Sequence, residues 1–289
     1  MKTMINKTLE RTLKKFKTEI DDCFLCTLKT IRYDQADYPD YTQNEIQHLY
    51  LLRYFPAYLC EYKYLYKKVI RSRKIDKLSI ISLGCGCCID YYGAYLAYNR
   101  DYSIIKYRGI DLVDWDCVDS LGNPNFKITI DNIKNVTFPK KNRFNIIIFP
   151  KSLSEFDQES FDSLLSSLTK TDFVEDCVFL ISSAMNKGFE YDSRRYDTVA
   201  ALLKDSGFGC KDYQPMQEMK EKGGLVRLDC DFEYPNDIID FLIKLSENCK
   251  TFKDSNKNCS PDCKDQLNKR PILTSGYMSF QINCFERTK

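Results

Sequence analysis

One short stretch, an apolar run that ends in two closely spaced glycines, most constrains how this chain folds. Residues 77–90 have the sequence KLSIISLGCGCCID, and the apolar run stops at Gly84 and Gly86. This pattern is typical of a buried parallel strand that turns tightly into a helix, because glycine accepts backbone conformations that other residues avoid. Amide groups at the start of such a helix favour an anionic or polar ligand. The stretch therefore predicts a ligand-binding loop behind the first strand of a sheet.

The residues that follow alternate between strand-like and helix-like segments. Regular alternation at this spacing predicts right-handed crossovers and a doubly wound, mostly parallel sheet, and so an α/β fold. The run FNIIIF is continuously apolar, as a strand buried on both faces requires. The predicted strands are residues 78–83, 104–111, 126–130, 144–149, 177–181, 224–232 and 277–285, and the predicted helices after the first strand are 89–100, 159–168, 193–205 and 237–245.

The first 75 residues have a helical pattern instead. Apolar positions recur at three- and four-residue steps from about residue 7 to 32, and a T-x-x-E capping box at Thr42 starts a second helix. Pro56 is expected to break or kink that helix after about Tyr54, with a third helical segment continuing to about residue 72. We predict a helical N-terminal cap, residues 1–75, and a main domain, residues 76–289, with a long loop at 249–270. The tyrosine-rich stretch 54–66 could pack this cap or form an aromatic wall over a pocket.

Polar residues follow several predicted strands at the point where each strand ends. Asp111 ends the second strand, Asp131 ends the third, and residues 149–152 follow the fourth. Ligands of open parallel sheets bind at the carboxyl ends of the strands, and an acidic residue after the second strand can accept both hydroxyls of a ribose. This spacing indicates a ligand that contains a nucleoside.

The glycine stretch and these strand ends resemble the motifs of Rossmann-like, S-adenosylmethionine-dependent methyltransferases over residues 78–182. The resemblance implies S-adenosylmethionine as the cofactor, with Cys88 standing where the family has a third glycine. A dinucleotide-binding dehydrogenase is disfavoured because Ile89 occupies a position that requires a small residue. The resemblance implies cofactor contacts at Gly84, Cys85, Gly86, Cys87, Asp90, Asp111, Leu112, Asp131, Asn132, Phe149 and Pro150.

The segment after the fourth strand bears on the reaction. Residues 149–156, FPKSLSEF, lack both the N/D-P-P-Y/F signature of base N-methylation and the proline-cysteine pair of cytosine-C5 methylation. Direct displacement by a nucleophile remains, and it needs at most one general base. Glu155 and Asp157 are the candidates for that base. Both could equally cap the helix that follows.

Three functions are compatible with these observations. The first is methyl transfer to a small molecule, since a cap over the cofactor excludes large substrates. The second is an RNA or protein methyltransferase, because residues 1–77 carry a formal charge of +6 and the remainder −4. The third is a catalytically silent binding module, in which side chains at Cys87 and Cys88 block the pocket.

Composition limits the remaining possibilities. No window approaches 18 uninterrupted apolar residues and the N-terminus has no hydrophobic signal core, so we expect a cytoplasmic protein without a membrane partner. The 14 cysteines are scattered, which favours mostly reduced, buried thiols. We expect no metal: pairs such as Cys23 and Cys26, or the group Cys249, Cys259 and Cys263, are more consistent with packing than with zinc. The single histidine, His48, is expected to be structural.

Overall fold

The computed structural model describes most of the 289 residues. The described residues are 3–20, 25, 27–30, 39–73, 75–99, 101, 103–138, 141–185, 189–218, 226–227, 233–249, 263–275 and 278–288. Within them, no helix combines the length and apolarity needed to cross a membrane.

Contacts divide the chain into two compact units. The first unit contains residues 1–58, 114–121 and 227–274, and the second contains 59–113, 122–226 and 275–289. The described helices are α1 (Thr3–Ile20), α2 (Asn44–Ser72), α3 (Ile89–Ala97), α4 (Gln158–Thr169), α5 (Phe189–Asp205), α6 (Asn236–Leu242) and α7 (Cys263–Leu267), with 3-10 turns at Thr27–Thr30, Ile133–Asn135 and Leu245–Asn248. The predicted domain boundary near residue 75 stays a prediction.

The second unit is built on one large sheet. The described strands are β1 (Leu78–Leu83), β2 (Ile105–Asp111), β3 (Phe126–Ile130), β4 (Lys141–Asn142), β5 (Ile146–Pro150), β6 (Asp172–Phe173), β7 (Cys177–Met185), β8 (Phe208–Gly209), β9 (Gln217–Glu218), β10 (Val226–Arg227), β11 (Thr274–Ser275) and β12 (Met278–Arg287). The sheet has the order β3-β2-β1-β5-β7-β12-β8, and β9 also pairs with β12.

The pairing of these strands confirms the predicted α/β class. Strands β3, β2, β1, β5 and β7 are mutually parallel, whereas β12 runs antiparallel to both β7 and β8. The order reverses at β1, whose carboxyl end leads into the glycine stretch. A reversal of strand order opens a crevice at the carboxyl edge of an open sheet. The topology therefore places a ligand site beside residues 84–88.

Of the two outcomes expected at Pro56, a break does not occur, because the proline lies inside α2, a single helix of 29 residues. Proline removes the amide that would bond to the carbonyl four residues earlier, here that of Leu52. The Tyr234 hydroxyl donates to this carbonyl, and the Ile272 amide donates to the neighbouring Arg53 carbonyl at 2.8 Å. Contacts from distant segments thus replace the hydrogen bonding that proline disrupts.

The first predicted helix is also shorter than expected. It ends at Ile20, and residues 27–30 form a separate 3-10 turn. Cys23, Cys26 and Cys259, for which packing was expected rather than zinc binding, lie outside the described residues, as does most of the predicted strand 224–232. Nine described cysteines form no disulfide, in agreement with mostly reduced thiols, whereas Cys60 is disulfide-bonded.

Within the second unit, α2 lies very close to α3. A Cβ atom added to Gly93 would lie 2.4 Å from the Tyr62 Cβ and 2.8 Å from the Lys63 amide nitrogen. Only a residue without a side chain allows the two backbones to approach this far. The Tyr62 hydroxyl then reaches Ser183 near the end of β7, 3.3 Å away. This half of the tyrosine-rich stretch therefore packs against the sheet.

Candidate functional site

The loop after β1 has left-handed backbone conformations at alternate residues. Gly84, Gly86 and Cys88 have φ angles of 69°, 52° and 58°. Glycine adopts this region freely, whereas a residue with a side chain loses about 1–2 kcal/mol there. The third position of the motif therefore keeps the backbone that a glycine would have, although a cysteine occupies it.

The cysteine side chains of this loop are buried. Cys88 is fully buried, with its Sγ 3.8 Å from the Gly86 carbonyl oxygen. Cys85 packs onto β2, where a Cβ atom on Gly109 would lie 2.6 Å from the Cys85 Sγ. Cys87 is 3% exposed. The side chain of Cys88 is thus accommodated inside the protein, next to Cys85.

Asp111 holds the loop to the end of β2. Its Oδ2 accepts a hydrogen bond from the Gly86 amide at 2.6 Å, and its Oδ1 accepts one from the Val113 amide at 2.9 Å. The carboxylate is half-buried, and each of its oxygens can accept more than one hydrogen bond. Asp111 therefore lies where the sequence predicted a ribose acceptor, at the carboxyl edge beside the glycine loop.

Two large apolar side chains are exposed at the same edge. Leu112 is 67% exposed and Ile130, at the end of β3, is 45% exposed. The sequence analysis predicted a cofactor contact at Leu112. It did not single out Ile130, because the sequence at the end of a strand does not show whether a side chain is exposed. Together they offer an apolar surface beside a carboxylate, which suits a planar, partly apolar group.

The end of β3 is tied down by local hydrogen bonds. The Asp131 amide donates to the Asp111 carbonyl at 2.9 Å, and the Asp131 carboxylate accepts from the Asn132 amide and the Asn135 side chain. Asn132 caps the following 3-10 turn by accepting from the Lys134 amide at 3.0 Å. Both predicted residues are half-buried and lie next to Asp111.

Two other predicted cofactor contacts have no exposed surface. Asp90 is fully buried, and its Oδ1 accepts from the Tyr107 hydroxyl at 2.9 Å. Burial raises the pKa of Asp90 to about 6. Phe149 lies in the hydrophobic core and packs edge-on against Phe156. The structure places both side chains beneath the strand ends, while Pro150 is half-buried.

The segment after β5 packs directly onto the glycine loop. The Ser152 hydroxyl donates to the Leu83 carbonyl at 2.5 Å, and a Cβ atom on Gly84 would lie 2.4 Å from the Ser152 Cβ. Lys151 has a left-handed backbone, and its Nζ lies 2.8 Å from Glu61 Oε2 on α2. Both charged side chains of this ion pair are nearly buried, at 11% and 4% exposure. The ends of β1 and β5 are therefore fixed relative to each other and to α2.

The two candidate bases lie in different environments. Asp157 caps α4 by accepting from the Ser160 amide at 2.7 Å, and this hydrogen bond lowers its pKa. Glu155 is exposed, yet the protein atoms around it reduce its hydration, and this desolvation raises its pKa to about 7. The negative charges of Asp111 and Asp192 raise it further. Of the two, only Glu155 has a raised pKa.

Asp192, in the first turn of α5, is a site residue that the sequence analysis missed. It is 1% exposed, and neither carboxylate oxygen has a well-formed hydrogen bond among the described residues. Burial raises its pKa to about 6, while a contact with Ser154 and the charges of Arg195 and Lys151 oppose the shift. An acidic residue in a first helical turn is so common that no sequence signal marked this one.

Arg195 organises the segment that carries Glu155. Its guanidinium donates to the carbonyls of Leu153 and Phe156, both at 2.6 Å, and lies 4.5 Å from the centre of the Tyr191 ring. Arg195 is 5% exposed, so these charge-assisted bonds are shielded from water. The loop that presents Glu155 is therefore held on both sides of that residue.

Comparisons with known proteins give structural matches only. No protein-family model matches the sequence, and no curated protein matches it significantly. A plantazolicin methyltransferase bound to a substrate analogue and S-adenosylhomocysteine matches with 11% identity and a TM-score of 0.43, covering 97% of this chain and 99% of its own.

Two further solved structures match at similar levels. An N1-methyltransferase of 1,6-didemethyltoxoflavin from Burkholderia thailandensis matches with 10% identity and a TM-score of 0.39, over 81% of this chain and 80% of its own. The magnesium protoporphyrin IX methyltransferase from Synechocystis PCC 6803 matches with 11% identity and a TM-score of 0.38, over 94% and 97%. The sheet of this chain is mostly parallel, with β12 antiparallel next to β7. The chain has a doubly wound, Rossmann-like α/β fold, and the solved structures that it resembles are methyltransferases.

Proposed function

We propose that the protein is an S-adenosylmethionine-dependent methyltransferase that transfers a methyl group directly to a nucleophile on a small molecule. The observation that carries this proposal is the group of carboxylates at the carboxyl edge of the sheet. Asp111, Glu155 and Asp192 interact electrostatically there, beside the glycine loop. Fold alone does not define an activity, so the proposal rests on these side chains.

The residues present fit the cofactor. Asp111 keeps acceptor capacity for ribose hydroxyls, and the exposed Leu112 and Ile130 suit the faces of an adenine. The cofactor also carries two positive charges, on its sulfonium and its ammonium group. Desolvation and mutual repulsion raise the pKa of Glu155, so a cation bound at this edge would stabilise its charged form. Asp131 and Asn132 would lie on the adenine side.

The cofactor supplies an electrophilic methyl group that leaves a sulfonium sulfur. The protein must bring the acceptor atom into line with it, which accounts for much of the rate acceleration in such displacements. Glu155 is the proposed general base, because a pKa of about 7 lets its carboxylate take a proton near neutral pH. Arg195 positions it through the Leu153 and Phe156 carbonyls.

The charge of the site supports a small acceptor over RNA. The carboxylate of Glu155 is exposed at this edge and would repel a phosphate backbone, whereas Asp192, which interacts with it electrostatically, is buried. A neutral or cationic small molecule meets no such barrier, and the exposed Tyr191 offers it an apolar face. We therefore propose that the methyl group is accepted by a small molecule that carries an amine or a hydroxyl group, with RNA and protein as alternatives.

A methyl-transfer assay tests the proposal. The purified protein is incubated with methyl-labelled S-adenosylmethionine and separate pools of small amines, phenols, RNA and protein, and S-adenosylhomocysteine is quantified. We expect turnover with a small-molecule pool that is lost in the Glu155→Gln variant and kept in the Asp157→Asn variant. Binding of the cofactor without turnover on any pool would favour the silent binding module instead.

A further inference from the structure

Two cysteines meet on the antiparallel part of the sheet, far along the chain from the glycine loop. Cys177 is the first residue of β7, and Cys284 lies on β12, where Phe179 faces Cys284 and Glu286 faces Cys177. The two cysteines are thus diagonal neighbours on one face of an antiparallel pair. Their Sγ atoms are 2.8 Å apart. This separation is shorter than the usual contact of about 3.5–4.0 Å between nonbonded carbon atoms and longer than a disulfide bond of about 2.05 Å.

Neither cysteine of the pair is fully buried. Each cysteine is half-buried, and Cys284 lines a surface pocket of about 750 Å³ together with Cys210 and Asn283. Buried structural cysteines are chemically inert because reagents cannot reach them. This pair differs from Cys85 and Cys88, which are fully enclosed.

Positive charge lies next to the pair. Arg73 interacts electrostatically with both thiols, and its guanidinium is 2.6 Å from the Glu286 carboxylate. Lys68 and Lys211 line the same pocket. A guanidinium close to a cysteine stabilises the thiolate, which is the reactive form.

The two thiols are electrostatically unequal. The hydrogen bond from Cys284 lowers the pKa of Cys177, and the charge of Arg73 lowers it further, while burial and Glu286 act in the opposite direction. The same hydrogen bond raises the pKa of Cys284. The shared hydrogen bond lets one thiol of the pair ionise while the other keeps its proton until a later step.

A metal site does not explain this arrangement. Within the described part of the chain, the one group of three His, Cys, Asp or Glu ligand atoms close enough to share an ion consists of Glu19, His48 and Asp116. Cys177 and Cys284 have no third ligand of this kind there. Structural zinc sites require four ligands.

We propose that Cys177 and Cys284 form a reversible disulfide by exchange with a small-molecule disulfide such as oxidised glutathione. The Cys177 thiolate attacks one glutathione sulfur, forms a mixed disulfide and releases the other as glutathione thiolate. The Cys284 thiol then loses its proton to solvent, attacks Cys177 and releases the second glutathione. Two protein thiols are oxidised and one glutathione disulfide is reduced to two thiols.

This site is independent of the proposed methyl transfer. Cys177 begins β7, so it lies at the amino end of that strand, whereas the carboxylates lie at the carboxyl ends of the parallel strands. Closing the disulfide should leave cofactor affinity unchanged. Failure of either proposal therefore leaves the other intact.

Redox titration with peptide mapping tests the disulfide. The folded, full-length protein is equilibrated in buffers of varied ratio of oxidised to reduced glutathione, its free thiols are alkylated, and a non-reducing digest is analysed by mass spectrometry. We expect a Cys177–Cys284 linked peptide that increases with the oxidised fraction and disappears with dithiothreitol. The Cys284→Ser variant should instead accumulate a glutathione mixed disulfide at Cys177.

Cys210 provides the matched control, because it is half-buried and lines the same pocket. Cys210→Ser should oxidise with the wild-type midpoint, and Arg73→Gln should slow formation of the mixed disulfide by roughly three- to tenfold near neutral pH. The proposal is overturned if the folded wild-type protein forms no Cys177–Cys284 link in the most oxidising buffer, if the link forms only in denaturant, or if Cys284 links to Cys210 instead.

Discussion

Two groups of acidic side chains, one in each unit, differ in how their charges are compensated. In the first unit, Asp116 lies 2.6 Å from the Lys15 ammonium and 3.3 Å from His48, and Glu19 lies 2.6 Å from the other nitrogen of His48. The hydrogen bond from Lys15 lowers the pKa of Asp116. In the second unit, desolvation and, to a lesser extent, neighbouring carboxylates raise the pKa of Glu155 instead.

The difference separates acids that hold the fold from acids that are available to a ligand. Asp116 already has a positive partner in Lys15, so another cation would have to displace that lysine. Glu155 forms no ion pair among the described residues, and like charges destabilise its ionised form. Perturbed acids without compensation mark functional sites more often than paired ones do. The contrast supports the proposal that binding and chemistry take place at the carboxyl edge of the sheet.

The largest expected effect is on the rate of methyl transfer in Glu155→Gln. Loss of a general base should lower kcat by about 10²- to 10⁴-fold. In the wild-type protein kcat/KM should rise with pH and level off above the pKa of about 7, and the variant should show no such rise. Steady-state rates measured from about pH 5.5 to about pH 9 check this.

The substitution Glu155→Gln, which should lower the rate, should raise the free energy of unfolding. Since the folded-state pKa of Glu155 lies above its ordinary value of 4.5, ionisation in the folded protein becomes unfavourable as the pH rises. Glu155→Gln should therefore gain stability relative to the wild-type protein between about pH 5 and about pH 8. Asp157→Asn, at a helix cap, is the matched control and should leave the pH profile of the rate unchanged. A wild-type profile in Glu155→Gln would remove Glu155 from the proposed chemistry.

The next largest effect is on stability, at the ion pair between Lys151 and Glu61. Lys151→Met removes the positive charge 2.8 Å from a carboxylate that is only 4% exposed, which should cost about 3–5 kcal/mol of unfolding free energy. Adding Glu61→Gln should recover most of that loss, because the uncompensated charge is removed as well. Denaturant unfolding of the two single variants and the double variant measures both values. Additive losses in the double variant would show that the two side chains do not interact.

The smallest effect is expected in the paired group of the first unit. Asp116 is 39% exposed, so Asp116→Asn should cost under about 1 kcal/mol. Because the folded-state pKa is lowered, this contribution is present above the ordinary value of 3.8 and is lost on acidification. Thermal unfolding at about pH 7 and about pH 3 compares the two proteins. A change of cofactor affinity in this variant would contradict the assignment of Asp116 to the fold.

The sheet could be predicted from the sequence because its central strands are short, apolar and bounded by polar residues. Strands β1 and β3 have the predicted limits, and β7 and β12 begin within one residue of theirs. The sequence could not decide whether Pro56 breaks or kinks α2, since the outcome depends on Tyr234 and Ile272, which donate to the Leu52 and Arg53 carbonyls. Local propensity carries no information about such distant partners.

The residues of the candidate site could be predicted where they end a strand or closely follow one. Asp111 and Glu155 lie at one edge, as the order of motifs indicated. Asp192 could not be found because its burial depends on the packing of α5. Cys88 stands where the resembled family has a third glycine, and its left-handed backbone shows why a glycine would fit there. Replacement by glycine relieves backbone strain but removes a fully buried side chain, so the two effects oppose each other.

Calorimetric titration of the protein with S-adenosylmethionine and S-adenosylhomocysteine, repeated on Asp111→Asn, tests the central claim most directly. We predict saturable binding of both compounds to the wild-type protein and a loss of about ten- to a hundredfold in affinity in the variant, because charge-assisted hydrogen bonds to the ribose are weakened. Binding near pH 7 should also release protons, since a cation lowers the pKa of Glu155. Absence of binding of either compound at millimolar concentration would contradict the account.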